Sequence, residues 1–275
     1  MTNITKKVNS WTRCCMALAI VLAFSSGLAK ADTLSDIKAA GTVKFGVKAD
    51  VKPWAYVDSQ GNPIGFEIDM AKKLAEQMGV KTEFITVTSS NRIQYLEQGK
   101  IDIVLATMSD TPKRRKVVHM VEPHYFADAT NVMSKPAAGI NGWQDIKDQA
   151  LCGVNGAFYN KWAAKKYGSE VKAFKGPPEA IAALKQGQCV GFLYSDQILR
   201  ITKDENSDLS DYVISLKPVN PDYWGMAVRK DSDSDTLAEA ISTGITEMHE
   251  SGQLLDLAKP YGLGGNPFLK SKTTD

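Results

Sequence analysis

The chain spells out the same order of elements twice. Leu96-Glu97-Gln98-Gly99-Lys100 stands before one apolar run, residues 101–106, and Leu184-Lys185-Gln186-Gly187-Gln188 stands before another, residues 189–194. Around the first echo, the spacing predicts a strand over 43–47, a helix from Gly65 to Met78 and a strand over 81–87. A helix over 92–98 and the strand over 101–106 follow. Ala71, Leu74, Ala75 and Met78 fall on one helical face. Glu67 and Asp69 sit where the helix dipole favours acids, and Gly79 ends the helix. Around the second echo the same order predicts strands over 151–154, 171–174 and 189–194, with helices over 159–167 and 179–186. Strands alternating with helices give an α/β fold with a mainly parallel sheet, flanked by helices, in each half. In this register Thr107 corresponds to Ser195.

Ligands of open parallel sheets bind beyond the carboxyl ends of the strands. Four loops are therefore candidates: 48–54, 106–114, 155–159 and 194–197. Two lobes that face each other across these loops enclose a cleft. The chain is expected to cross between lobes near 128–134 and again near 220–228. Residues 32–128 and 226–275 then make lobe 1, and 129–225 make lobe 2. The last helices, 236–249 and 253–259, return to lobe 1, the first burying Leu237, Ala240, Ile241, Ile245 and Met248.

Residues 1–31 read as an address. Lys6, Lys7 and Arg13 precede an apolar stretch, 14–28, and Ala29-Lys30-Ala31 is a small-x-small cleavage pattern. The stretch is short for a membrane span, so cleavage after Ala31 is preferred to an uncleaved anchor. Without Lys6, Lys7, Arg13 and Lys30, the 33 Lys and Arg fall to 29 against 31 Asp and Glu, a net of −2. That balance does not suit a nucleic-acid partner. No later stretch reaches 18 apolar residues. Export to an oxidising compartment favours a disulfide between the two remaining cysteines, Cys152 and Cys189, over two buried thiols.

Several linked motifs carry a resemblance. They are Gly65-Phe66-Glu67-Ile68-Asp69-Met70, then Asn91-Arg92-Ile93 with Leu96, Gly99 and Asp102. Next come Ala106-Thr107-Met108-Ser109, Thr111-Pro112-Lys113-Arg114 and Glu122-Pro123. From about 34 to 263 the sequence resembles the periplasmic solute-binding proteins of importers for polar amino acids. The resemblance implies the two-lobed periplasmic-binding-protein fold of type II, with two crossover segments and hinge closure around a ligand. It implies a monomer without cofactor or metal that delivers an amino-acid-like ligand to the permease subunits of an ABC importer. Arg114 is then the clamp on the ligand's α-carboxylate. Physically, Thr111 caps and Pro112 opens a helical turn from which the planar Arg114 fork can hold a carboxylate with two parallel bonds. Ala106, Thr107 and Ser109 offer backbone groups and hydroxyls to the same ligand.

The second half departs from the family pattern. Gly156 is followed by Ala157 and Phe158 rather than by small hydroxyl residues. The aspartate that holds the ligand's ammonium group is replaced in register by Ser195, with Asp196 next to it. Asp196 is the preferred substitute; a helix cap is its structural alternative. Lys48 and Arg92 are expected to meet an acidic or amide ligand side chain. Of the aromatic residues Trp54, Phe158, Tyr159 and Trp224, Trp54 and Phe158 are the preferred walls of the cleft. An acidic amino acid is the first expectation for the ligand. A dehydratase-like enzyme on the same fold is the alternative; His124, near the first crossing, is the histidine best placed to serve it.

Overall fold

A computed structural model describes residues 32–273, so the expected address and its cleavage after Ala31 lie outside the described residues. Helix α1 (Thr33–Ala40) leads into β1 (Thr42–Val47). A small three-stranded antiparallel flap follows: β2 (Asp50–Val51), β3 (Ala55–Val57) and β4 (Pro63–Ile64). Helix α2 (Phe66–Met78) buries Ala71, Leu74 and Ala75 of the expected face together with Phe66 and Met70, leaves Met78 half-buried, and stops where Gly79 turns left-handed at φ 73°. Then come β5 (Lys81–Thr86), α3 (Arg92–Glu97), β6 (Ile103–Val104) and β7 (Val118–Met120).

The second lobe begins with β8 (Phe126–Ser134), followed by β9 (Ala150–Val154), α4 (Phe158–Tyr167), β10 (Glu170–Phe174), α5 (Pro177–Lys185), β11 (Gly191–Ser195), α6 (Asp196–Glu205) and β12 (Val219–Trp224). The chain returns through β13 (Ala227–Arg229) to α7 (Asp235–Glu250), α8 (Gln253–Ala258) and α9 (Pro267–Lys272).

The first sheet has the order β5-β1-β6-β13-β7 and the second β10-β9-β11-β8-β12. The β-α-β units supply the parallel pairs β1/β5, β1/β6, β9/β10 and β9/β11. The rest of each sheet is antiparallel, through β13 in the first and β8 and β12 in the second. The antiparallel members come from the strands that carry the chain between lobes or bring it back. Strand β8 pairs within the second sheet from Phe126 onward, slightly before the expected boundary after residue 128. Expected strand 101–106 is paired as a strand only at Ile103 and Val104. Cys152 and Cys189 form a disulfide with Cα atoms 5.6 Å apart. Cys152 lies in β9 opposite Phe192 of β11, and Cys189 lies just before β11, which begins at Gly191 and not at 189 as expected, so the bond ties β9 to the segment that leads into its parallel neighbour.

Candidate functional site

The loops at the carboxyl ends of the first lobe's strands carry a buried polar network. Thr107 sits just beyond β6 with φ 46°, a left-handed conformation that a β-branched residue rarely adopts. Its N–H donates to Glu67 Oε1 at 2.8 Å, and the Tyr125 hydroxyl donates to the same oxygen. Glu67 is fully buried in the first turn of α2, and burial pushes its pKa up to about 7 despite these donors. Arg92, the first residue of α3, is also fully buried. Its Nη1 donates to the carbonyls of Ala106 and Thr107, and its Nε has no partner among the described residues. Burial and then the neighbouring Arg114 charge push its pKa down to about 9.

Thr111 does open a turn, accepting from the Arg114 N–H at 3.3 Å, but only a short 3₁₀ turn, Arg114–Lys116, follows instead of a helix. Arg114 Nη1 donates to the Ser109 carbonyl at 2.6 Å. Its Nη2 donates to the Gly156 carbonyl of the opposite lobe at 3.0 Å. A guanidinium has five N–H donors, so three remain, enough for a bidentate carboxylate. Burial lowers the pKa of this arginine as well.

From β12 comes a carboxylate that the sequence reading did not single out. Asp222 is buried, and its Oδ2 accepts from Ser109 Oγ and from Trp224 Nε1, each at 2.9 Å. Burial pushes its pKa up to about 6. Between the lobes lies a small cavity of about 20 Å³. Lobe 1 lines it with Ser89, Arg92, Thr107, Ser109 and Arg114. Lobe 2 lines it with Ala157, Tyr159, Tyr194, Ser195 and Ile198. Asp222 and Trp224 complete the wall from the returning strand.

The structure therefore brings Arg92, Thr107, Ser109, Arg114 and Ser195 together and leaves the other expected residues outside the lining. Ala106 is fully buried and acts through its carbonyl, which holds Arg92. Lys48 is buried behind the wall; burial, then Arg92, pushes its pKa down to about 8, against Asp50 and Glu67. Trp54 is core: its ring meets Phe126 edge-on at 5.6 Å and Trp224 at 5.5 Å. Phe158 packs edge-on against Tyr159 at 5.2 Å, and it is Tyr159 that faces the cavity. The expected walls Trp54 and Phe158 thus give way to Trp224 and Tyr159. Asp196 points elsewhere, accepting from Asn131 Nδ2 at 2.6 Å and pairing with Arg200 Nε at 2.9 Å, one helical turn on. Ser195 donates instead to Asp128. His124 lies off the cavity, with Nε2 2.8 Å from Asp110 Oδ2, beside the Arg115 that also pairs with Asp110 and Glu122.

Two α/β lobes, joined by crossing strands and closing over a charged cavity, define a two-lobed periplasmic-binding-protein fold. Residues 43–264 match the family described as bacterial extracellular solute-binding proteins, family 3, and the chain belongs to that family. It is 31% identical over 238 residues to the ABC transporter glutamine-binding protein GlnH of Bacillus subtilis, covering 84% of this chain and 85% of the relative. It is 26% identical over 256 residues to an L-glutamate/L-aspartate-binding protein of Pseudomonas aeruginosa, covering 87% and 84%. The solute receptor for L-cysteine of Neisseria gonorrhoeae superposes with a TM-score of 0.78 at 26% identity, covering 86% of this chain and 98% of that one.

Proposed function

We propose that the protein captures one small amino acid, with an acidic side chain preferred, and passes it unchanged to the permease subunits of an ABC importer. In this reading it acts in the periplasm as a monomer after cleavage at Ala31. The observation that carries it is the charge of the cavity wall: two guanidiniums, Arg92 and Arg114, against one carboxylate, Asp222. An acidic amino acid brings two carboxylates and one ammonium group, the complement of that wall. Arg114 takes the α-carboxylate, and Arg92, whose Nε is unpartnered, takes the acceptor at the far end of the ligand. The glutamine-binding and glutamate/aspartate-binding relatives support the same class.

Calorimetric titration with the twenty amino acids tests this directly. L-aspartate or L-glutamate should bind most tightly. Arg114→Ala should weaken every amino acid that binds by about thirty- to several-thousand-fold, the effect of breaking a buried charge pair worth ~2–5 kcal/mol. Arg92→Lys keeps the charge but loses the planar fork, so it should lower the preference for acidic over neutral ligands. Tighter binding of a basic amino acid, or an Arg114→Ala variant that binds within threefold of wild type, would refute the reading.

A further inference from the structure

We infer that Asp222, on the returning strand, is the anchor for the ligand's ammonium group. The inference rests on the amino-acid reading above. An α-amino acid in a closed cavity needs a carboxylate near its ammonium, because an unpaired buried charge is expensive. Five acidic side chains near the cleft are candidates. Glu67 is fully buried behind Thr107, and its Oε1 accepts from Thr107 and Tyr125. Asp128 takes the hydroxyl of Ser195 and the N–H of Gln197 at 3.2 Å. Asp196 is held by Asn131 and Arg200. Asp50 lies at the mouth, against Gly176 of the other lobe. None of these four lines the cavity; Asp222 does. Both bonds to Asp222 end on Oδ2, which leaves Oδ1 for a ligand.

Its distance from the carboxylate anchor is also fixed by one residue. Ser109 accepts from Arg114 through its carbonyl at 2.6 Å and donates to Asp222 through its hydroxyl at 2.9 Å. Ser109 thus holds a cationic and an anionic group side by side, and an α-amino acid presents its carboxylate and ammonium on neighbouring atoms. The backbone strengthens the arrangement. Ser109 and Trp224 form an antiparallel bridge, with Asp110 N–H to Tyr223 O at 2.8 Å and Gly225 N–H to Met108 O at 3.0 Å. Asp222 is therefore tied to the first lobe's ligand loop although its strand belongs to the second sheet.

The test compares ligands with and without the ammonium group. Wild type, Asp222→Asn and Asp196→Asn are titrated with the tightest of the twenty amino acids and with its 2-hydroxy analogue; for L-aspartate this is L-malate. Wild type should prefer the amino acid by at least about thirtyfold, and Asp222→Asn should lose most of that preference while binding the hydroxy analogue within threefold of wild type. Asp196→Asn should change neither. A disturbance of Trp224 packing would weaken both ligands together, so the ratio separates an ammonium anchor from a structural role. An Asp222→Asn variant that keeps the wild-type ratio overturns the inference and leaves the amino-acid reading standing. Wild type binding L-malate as tightly as L-aspartate also overturns it, even if the variant does not fold. Binding of no amino acid at all by wild type sinks both readings.

Discussion

Gly156 offers a way to prop the cleft open. It sits in the second lobe with φ +82°, and a Cβ added there would meet the carbonyl of Ser89 in the first lobe, oxygen first, with the carbonyl carbon 2.6 Å and Ser90 N 2.8 Å away. These are backbone atoms, which cannot swing aside as a side chain can. Ordinary carbon contacts are ~3.5–4.0 Å, so the lobes must part by about 1 Å at this point. That separation would stretch the 3.0 Å bond from Arg114 to the Gly156 carbonyl beyond useful range. Overpacking alone costs ~1–3 kcal/mol, and a hydrogen bond from a charged donor is worth ~1.5–3 kcal/mol where water cannot replace it. Allowing for partial relaxation, Gly156→Ala should destabilise the closed form relative to the open one by about 2–4 kcal/mol. Affinity should fall by about thirty- to seven-hundred-fold, since ligand capture draws on the closed population. The left-handed strain of ~1–2 kcal/mol acts on both forms alike and lowers the melting temperature without changing affinity. Isothermal titration measures the affinity, and small-angle scattering with and without ligand measures the contraction. Gly176→Ala is the internal control: its Cβ would press on the side chains of Asp50 and Glu179, which can move. Affinity within threefold of wild type for Gly156→Ala, with the melting temperature lowered, would show that the glycine serves its own backbone and not closure.

Two further outcomes follow from the buried charges and the disulfide. Glu67, Asp128 and Asp222 have folded-state pKa values raised to about 7, 7 and 6, so between pH 4 and 7 the folded protein binds more protons than the unfolded chain. Stability of the ligand-free protein should therefore fall as pH rises through that window. It should rise again above pH 8, where folded Lys48, lowered to about 8, has lost a proton that the unfolded chain keeps. Melting curves from pH 4.5 to 9.5 check the sign, and an increase in melting temperature from pH 5 to 7 would refute it. Reduction of Cys152–Cys189, which closes a loop with a sequence separation of 37, should lower stability by up to ~4 kcal/mol on the loop-entropy estimate. That is roughly 10 °C in melting temperature for a chain of this size, readable by calorimetry with and without reductant.

The parts of the site that were legible in the sequence are those that obey the rule of parallel sheets. Thr107, Ser109 and Arg114 follow a strand that leads to the cleft, and Thr111-Pro112 marks the turn that sets Arg114. Ser195 ends the strand in the corresponding position of the second lobe. Asp222 breaks the rule. Its strand runs antiparallel to β8, back toward the first lobe, so no carboxyl end of a parallel strand points to it. The choice among tryptophans failed for a different reason. Trp54 and Trp224 touch each other edge-on, and composition cannot say which of two packed rings faces the cavity and which lies behind it. The sequence itself argues against Asp196, because Arg200 stands four residues on along a helix and competes for it. Lys48 directly follows the first strand as expected, but it is enclosed, and its charge acts on Arg92, Asp50, Glu67 and Arg114 from behind the wall.

The placement of Asp222 bears on how selection and closure divide between the lobes. Arg114, Thr107 and Ser109 belong to the first lobe, and Asp222 is fastened to them by the bridge through Ser109 and Trp224. In the proposed reading, the groups that would recognise what all amino acids share thus form one unit beside the crossing strands. Ala157, Tyr159, Tyr194 and Ile198 come from the other lobe. Arg114 also reaches across, through the Gly156 carbonyl. On that reading the ligand's backbone would be held by this unit, and its side chain would be tested against the tyrosines and Arg92 where the Gly156 loop meets Arg114. Affinity for the shared groups and discrimination among side chains would then be separate properties of separate lobes, so substitutions at Arg114 and at Tyr159 should differ in whether they change all ligands together or one relative to another.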